Sequence, residues 1–238
     1  MIELHEEFID IYNEIESFLR NEYSSSKQNE RIGHTSLIYQ SSNENPIIKQ
    51  YKEDLISFAR LRNAIVHSAY ESKPIAEPHK DIVSKYKDIR DRILFPLKTW
   101  DKCIKNIYSC KLSSNLNLVM NDMKKNVYTH VPVVNDKGFT IGILSENSLF
   151  NCILKEEIFE IEKTSTVELI KDYIGINDYD EKFYFLRKID KLTEVYKIFE
   201  NAIKNRERIG SVFITENGKM DNKIIGMFTS EDIAGQSI

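Results

Sequence analysis

Glycine is nearly missing from the first half of this chain: of eight glycines in 238 residues only Gly33 precedes residue 130. Backbone positions that need a positive φ are therefore concentrated in the second half, and the first half is free to be helical. Cysteine is scarce as well. Cys103, Cys110 and Cys152 are odd in number and form no C-x-x-C pair, which excludes a disulfide scaffold and suits a reducing, cytoplasmic setting. The spacing of Cys103, Cys110 and His130 fits no common zinc pattern, so buried thiols are expected and no metal site. No apolar run approaches the ~20 residues that span a bilayer, and the acidic, amphipathic segment Met1-Ile2-Glu3-Leu4-His5-Glu6-Glu7 does not read as a signal peptide. Neither sign of charge dominates. A net charge of −4 implies no whole-molecule attraction to nucleic acid or anionic membrane.

What is present is ordinary globular composition, 41% apolar and 29% charged, enough for one large core or two smaller ones. In the first hundred residues, Phe8, Ile11, Tyr12, Ile15, Phe18 and Leu19 recur at helical spacing and predict a helix over 2–23. Residues 24–45 are polar and serine-rich and read as a loop. Asn45 is placed to cap a helix whose first residue is Pro46 and which runs to about His67. After Pro74 and Pro78 a third helix turns Ile82, Val83, Tyr86, Ile89, Ile93 and Leu94 inward. A further helix joins Pro96 to the second half of the chain. The expectation for residues 1–100 is a small helical bundle.

The second half repeats itself. Val131-Pro132-Val133-Val134, a turn at Asn135-Asp136-Lys137-Gly138, and Ile141-Gly142-Ile143-Leu144-Ser145 return as Val212-Phe213-Ile214-Thr215, Glu216-Asn217-Gly218-Lys219 and Ile225-Gly226-Met227-Phe228-Thr229. Each copy is an apolar strand, a glycine turn, a second apolar strand and a hydroxyl residue where a helix begins. With strands expected near 105–110 and 183–187 and helices near 114–125, 146–156 and 190–205, each copy is a β-α-β-β-α unit. Copy one spans about 101–158 and copy two about 159–238. A unit present twice implies two half-domains about a pseudo-two-fold axis, with a cleft between them.

On these residues the second half resembles the cystathionine-β-synthase (CBS) domain pair. The fold class implied for the chain is α plus α/β, a helical bundle followed by a tandem CBS pair. The resemblance implies an adenosine nucleotide (AMP, ADP or ATP) as a regulatory ligand. Thr229 would receive phosphate, Asp232 would hold the ribose, and Gly210, Ser211 and Val212 would line the base slot. A hydroxyl and a helix N-terminus favour an anion through free N–H groups and the helix dipole. Lys188, Arg206 and Arg208 are near enough in sequence to neutralise phosphate. Thr229-x-x-Asp232 is equally a capping box, which needs no ligand. Copy one has Ser148 where the resemblance calls for aspartate, so one competent site, in copy two, is expected.

The second helix ends Arg60-Leu61-Arg62-Asn63-Ala64-Ile65-Val66-His67. Arg62 falls in the middle of the apolar face formed by Leu55, Phe58, Ala59, Leu61, Ile65 and Val66, where a guanidinium needs a partner. The structural alternative is an ion pair to Glu14 or Glu16. The R-x-x-x-x-H spacing is similar to that of HEPN domains, helical bundles that are commonly dimeric and often metal-independent ribonucleases. That resemblance implies catalysis by Arg62, Asn63 and His67 at a homodimer seam, with RNA as the substrate and no cofactor required. His67 would take a proton from a 2′-hydroxyl and Arg62 would stabilise the phosphate. Between Arg60 and Lys105, eleven Lys/Arg face six Asp/Glu, a local balance that mildly favours RNA. Two functions stand side by side. One is a nucleotide-sensing regulator with a ribonuclease bundle; the other is a non-enzymatic regulatory scaffold whose bundle docks a partner protein.

Overall fold

The computed structural model describes residues 3–23, 32–67, 69–70, 73–74, 76–156, 161–176 and 181–234. Contacts divide the chain into two units, Met1–Leu97 and Lys98–Ser237. The boundary falls at Lys98 because the next residues bond into the second unit. The Thr99 amide donates to the Asp190 carbonyl (2.8 Å) and the Thr99 hydroxyl to the Arg187 carbonyl (2.7 Å).

The first unit is helical: α1 (Leu4–Tyr23), α2 (His34–Ser42), α3 (Pro46–Gln50), α4 (Lys52–His67) and α5 (Lys80–Leu94), with a short antiparallel pair β1 (Ala69–Tyr70) and β2 (Lys73–Pro74). The apolar stripe of α1 packs on α5, α4 and α2. At its centre the Phe8, Phe58 and Tyr86 rings meet with centroids 4.6 to 5.9 Å apart. Burying each such ring contributes roughly 1.5–3 kcal/mol. Asn45 caps as its position requires, its Oδ1 accepting from the Ile47 and Ile48 amides at 2.9 and 3.3 Å.

Two expectations for this unit need correction. Residues 34–42 are helix rather than loop, and the helix expected over 46–67 is broken at Tyr51, whose φ of −100° and ψ of 15° leave the helical region. The expected loop's residues 24–31 lie outside the described residues.

The second unit holds α6 (Thr99–Lys102), α7 (Leu116–Asn126), β3 (His130–Val134), β4 (Thr140–Ser145), α8 (Glu146–Glu156), a 3-10 helix (Val167–Tyr173), β5 (Glu181–Arg187), α9 (Leu192–Asn205), β6 (Arg208–Thr215), β7 (Ile224–Phe228) and α10 (Ser230–Ile233). In copy one β3 pairs antiparallel with β4; in copy two β6 lies between parallel β5 and antiparallel β7. No strand forms over 105–110. Cys110 instead makes a single parallel bridge to Val133.

The copies are interleaved. The segment leading into copy one crosses to copy two, where Ile104 and Met227 exchange backbone hydrogen bonds of 2.9 and 3.0 Å. The segment leading into copy two crosses back, the Ile143 amide donating to the Ile174 carbonyl at 2.8 Å. This crossing explains the repeated glycine, since a Cβ at Gly142 would overlap Ile174 and one at Gly226 would overlap Cys103. Both copies also end their first long helix in the left-handed region on a residue other than glycine, Val127 at φ 59° and Arg206 at φ 57°. The three cysteines are buried, Cys110 and Cys152 in one packing group and Cys103 in another. Burial pushes the Cys103 thiol up and the Cys110 thiol to about 11, so both stay protonated at neutral pH.

Candidate functional site

The two strand-to-helix turns of the second unit are built alike and bonded differently. In copy two the Thr229 amide and hydroxyl both donate to Asp232 Oδ2, at 2.7 and 3.0 Å, and the hydroxyl also lies 3.1 Å from Glu231 Oε2. The sequence Thr229-x-x-Asp232 thus closes a capping box. In copy one Ser148 replaces the aspartate and still caps. Its Oγ accepts from the Ser145 amide (2.8 Å), its own amide donates to Ser145 Oγ (3.2 Å), and its hydroxyl donates to the Ser145 carbonyl (2.8 Å).

The carboxylate missing from copy one is supplied from elsewhere. Glu181, at the start of β5 and 7% exposed, accepts from the Ser145 hydroxyl through Oε2 (3.2 Å), and its Oε1 lies 3.0 Å from His130 Nε2. Asn147 adds a further side-chain hydrogen bond to Glu181 and accepts in turn from Arg208 Nη1 at 3.0 Å. Burial alone would raise the Glu181 carboxyl. The bond and charge of His130 and the bonds from Asn147 and Ser145 outweigh burial and hold it below the usual carboxylate range. The other His130 nitrogen, Nδ1, lies 2.9 Å from the Thr129 hydroxyl.

Around this network are two adjoining cavities. One, of about 210 Å³, is an apolar slot walled by Ile104, Ile107, Tyr108, Val127, Tyr128 and Met227. The other, of about 270 Å³, is polar and walled by Ser145, Glu146, Asn147, Glu181, Arg208, Ser230 and Glu231 among others. Thr129, His130 and Thr229 belong to both, so the two are chambers of one site. Together they reach the volume range of small-molecule sites, roughly 300–1,000 Å³. In the slot the Tyr108 and Tyr128 rings stack with centroids 5.6 Å apart. The Tyr108 hydroxyl donates to Asp122 (2.8 Å), and burial together with that carboxylate pushes its phenol up to about 12.

The residues anticipated for this cleft divide. Thr229 lines both chambers and Gly210 lines the polar one. Ser211 and Val212 are fully buried in β6, the Ser211 hydroxyl turned back to the Gly210 carbonyl at 2.7 Å, and neither lines a chamber. Asp232 is half-buried in its capping role and does not line the polar chamber. Of the three basic residues only Arg208 reaches it; Lys188 pairs with Glu216 at 3.0 Å and Arg206 is exposed after α9. Sequence reasoning missed Tyr108, Tyr128, His130 and Glu181. Sequence signals for them existed only in part, as Tyr128 shortly before β3 and a histidine opening it.

In the helical unit the Arg62 guanidinium lies over the Tyr12 ring, 5.1 Å from its centroid, and its Nη1 is 3.5 Å from Asn63 Oδ1. Of the two acids considered as its partners, Glu14 pairs with Arg90 (2.7 Å) and Glu16 with Arg20 (2.6 Å). His67 closes α4, and its side chain lies outside the described part of the chain. The neighbour that sequence reading missed is His34, 8% exposed, its ring tilted against that of Tyr12 with centroids 4.3 Å apart. Burial drives its imidazole down to about 4, with Arg20 and Arg62 also lowering it and Glu16 opposing them. Among the described residues no group of three His, Cys, Asp or Glu side chains could hold a metal, and no helix is long and apolar enough to cross a membrane.

The model of the CBS domain family matches residues 101–155, the first copy. No curated protein matches the chain. Solved structures similar to it include the CBS domain pair of protein MJ0100 in complex with 5′-methylthioadenosine and S-adenosyl-L-methionine, at 16% identity and TM-score 0.42, covering 58% of this chain and 94% of that one. CBSX2 in complex with AMP is similar at 16% identity and TM-score 0.41, covering 58% and 92%. A conserved protein from Pyrococcus horikoshii is similar at 18% identity and TM-score 0.42, covering 60% and 96%.

Proposed function

We propose that the second unit is a CBS pair binding one adenosine-type ligand, and that the chain is a regulatory protein responding to that ligand. The observation that carries this reading is the pairing of an aromatic-lined apolar slot with a polar chamber through Thr129, His130 and Thr229. A purine has apolar faces and a ribose carries hydroxyls, so the two chambers match the two ends of a nucleoside. In this reading the base enters beside Tyr108 and Tyr128, with Gly210 on the polar side. Ser211 and Val212 support the slot from within β6 rather than touching the base. The Thr229 hydroxyl meets the sugar, and Asp232, whose Oδ2 takes the Thr229 amide and hydroxyl, holds that hydroxyl in place from behind the chamber wall.

For the helical unit the proposal is non-enzymatic: a bundle that docks a partner protein, such as a second copy of the chain. Incubating the full chain with single-stranded RNA and chelator, as wild type and as His67→Ala, decides between this and a ribonuclease. RNA left intact by both supports the scaffold, whereas cleavage by wild type alone establishes the enzyme.

The ligand reading is tested by titration calorimetry of the full chain with adenosine and its 5′ derivatives. Base–aromatic contact contributes about 1–3 kcal/mol, so Tyr128→Ala should weaken binding roughly tenfold or more. Absence of binding by every adenosine compound removes the reading.

A further inference from the structure

The two half-sites of the second unit are not equally open. The parallel pairing that sets Leu186 opposite Ile214 in copy two is matched in copy one by Cys110 opposite Val133. By that register Phe183 stands where copy one has Ile107. Ile107 is a wall of the open slot near Thr229. Phe183 instead fills the corresponding space near Ser145: its ring lies against Gly210, where a Cβ would overlap it, and packs edge-on to His130 with centroids 5.7 Å apart. Two residues earlier on the same strand, the Glu181 carboxylate lies on the Ser145 hydroxyl at the start of the 11-residue α8. An aromatic ring in the base position and a carboxylate at an anion-favouring helix start are what a bound nucleotide would supply. Here the chain supplies them itself.

We propose that copy one's half-site is occupied by this internal plug, so that the cleft takes one ligand per chain and selects adenosine compounds whose 5′ substituent is neutral or positively charged. This rests on the reading of the cavity as an adenosine site. The selection follows from the charges left facing the polar chamber. Glu146 and Glu231 line it, with Glu181 bonded to His130, against one guanidinium, Arg208, which is already bonded to Asn147. The Thr229 hydroxyl, the group a phosphate would need, is directed to Asp232 and Glu231. A 5′ phosphate would add like charge within a few ångströms of fixed carboxylates in a partly enclosed space, where repulsion is screened less than in open water. A sulfonium or amine at the same carbon would be attracted by them.

Titration of the full chain with adenosine, S-adenosylmethionine, AMP and ATP tests the proposal. Adenosine and S-adenosylmethionine should each bind at one equivalent per chain. AMP should be at least tenfold weaker than adenosine, ATP weaker still, and the gap should narrow as salt is raised. Glu181→Gln should strengthen AMP and ATP several-fold relative to adenosine measured on the same variant. Glu231→Gln, at an exposed position that leaves the plug intact, should shift the preference in the same direction and serves if the first variant does not fold. ATP binding wild type as tightly as adenosine, or two equivalents of any ligand per chain, overturns the plug and the selection while leaving the adenosine site standing. If none of the four binds, the adenosine reading itself falls.

Discussion

The His130 imidazole and the Glu181 carboxylate lie 3.0 Å apart across 51 positions of sequence, with 9% and 8% of their side chains exposed. Glu181 also serves the Ser145 hydroxyl and Asn147, so one buried carboxylate ties the start of β5 to both strands of the copy-one hairpin. Removing one partner of such a pair leaves the other groups desolvated and unsatisfied. Glu181→Ala should destabilise the second unit by about 3 kcal/mol, read as a lower denaturant midpoint. The carboxyl is held below its ordinary value, so its contribution is present at neutral pH and is lost as pH falls through the folded-state value. Acid titration of the variant should lack that loss.

His34 gives the helical unit a pH dependence of its own. Its imidazole is depressed from 6.5 to about 4, so below pH 6.5 the unfolded chain takes up a proton that the folded chain refuses. Stability is complete above pH 6.5 and falls by about 3 kcal/mol as pH drops to 4. Melting His34→Phe across this range should show a flatter profile, since phenylalanine keeps the contact with Tyr12 without a titrating group.

The Tyr86 hydroxyl is buried among Phe8 and Phe58 with no hydrogen-bond partner among the described residues, and burial pushes its phenol far above the ordinary range. Deleting an unsatisfied hydroxyl removes a desolvation penalty without opening much space. Tyr86→Phe should therefore be neutral or stabilising by up to about 1 kcal/mol. Equilibrium unfolding should show a midpoint no lower than wild type.

Val127 adopts φ 59° while 81% exposed at the wall of the apolar slot. A β-branched residue is strained there by roughly 1–2 kcal/mol, and glycine is not. Val127→Gly should raise the melting temperature by a few degrees, and Arg206→Gly, at the matching position of copy two, should raise it less because arginine is not β-branched.

The sequence made the helices visible where apolar spacing was regular, as in the stripe of α1 and that of α5. It hid α2, because Ser41 and Ser42 look like loop residues. Their hydroxyls are in fact satisfied by the helix itself, Ser41 donating to the Leu37 carbonyl at 2.7 Å and Ser42 to the Tyr39 carbonyl at 2.8 Å. The hairpins were legible because each is local, two apolar strands around a glycine turn. The cleft was legible only on its local side, the Thr229–Asp232 turn. Its other walls come from segments that cross between copies, so Tyr108 and His130 reach the same cavity as Thr229 through pairings that no local pattern encodes. Glu181 is the extreme case: a glutamate opening a strand reads as surface, and only the fold buries it.

Amide spectra of isotopically labelled full chain, recorded while adenosine is added, test the central idea most directly. Saturable shifts should centre on Tyr108, Thr129, His130 and Thr229, while the amides of α1 and α5 move little. Spectra that stay unchanged at millimolar adenosine, or shifts that cluster away from those four residues, would contradict it.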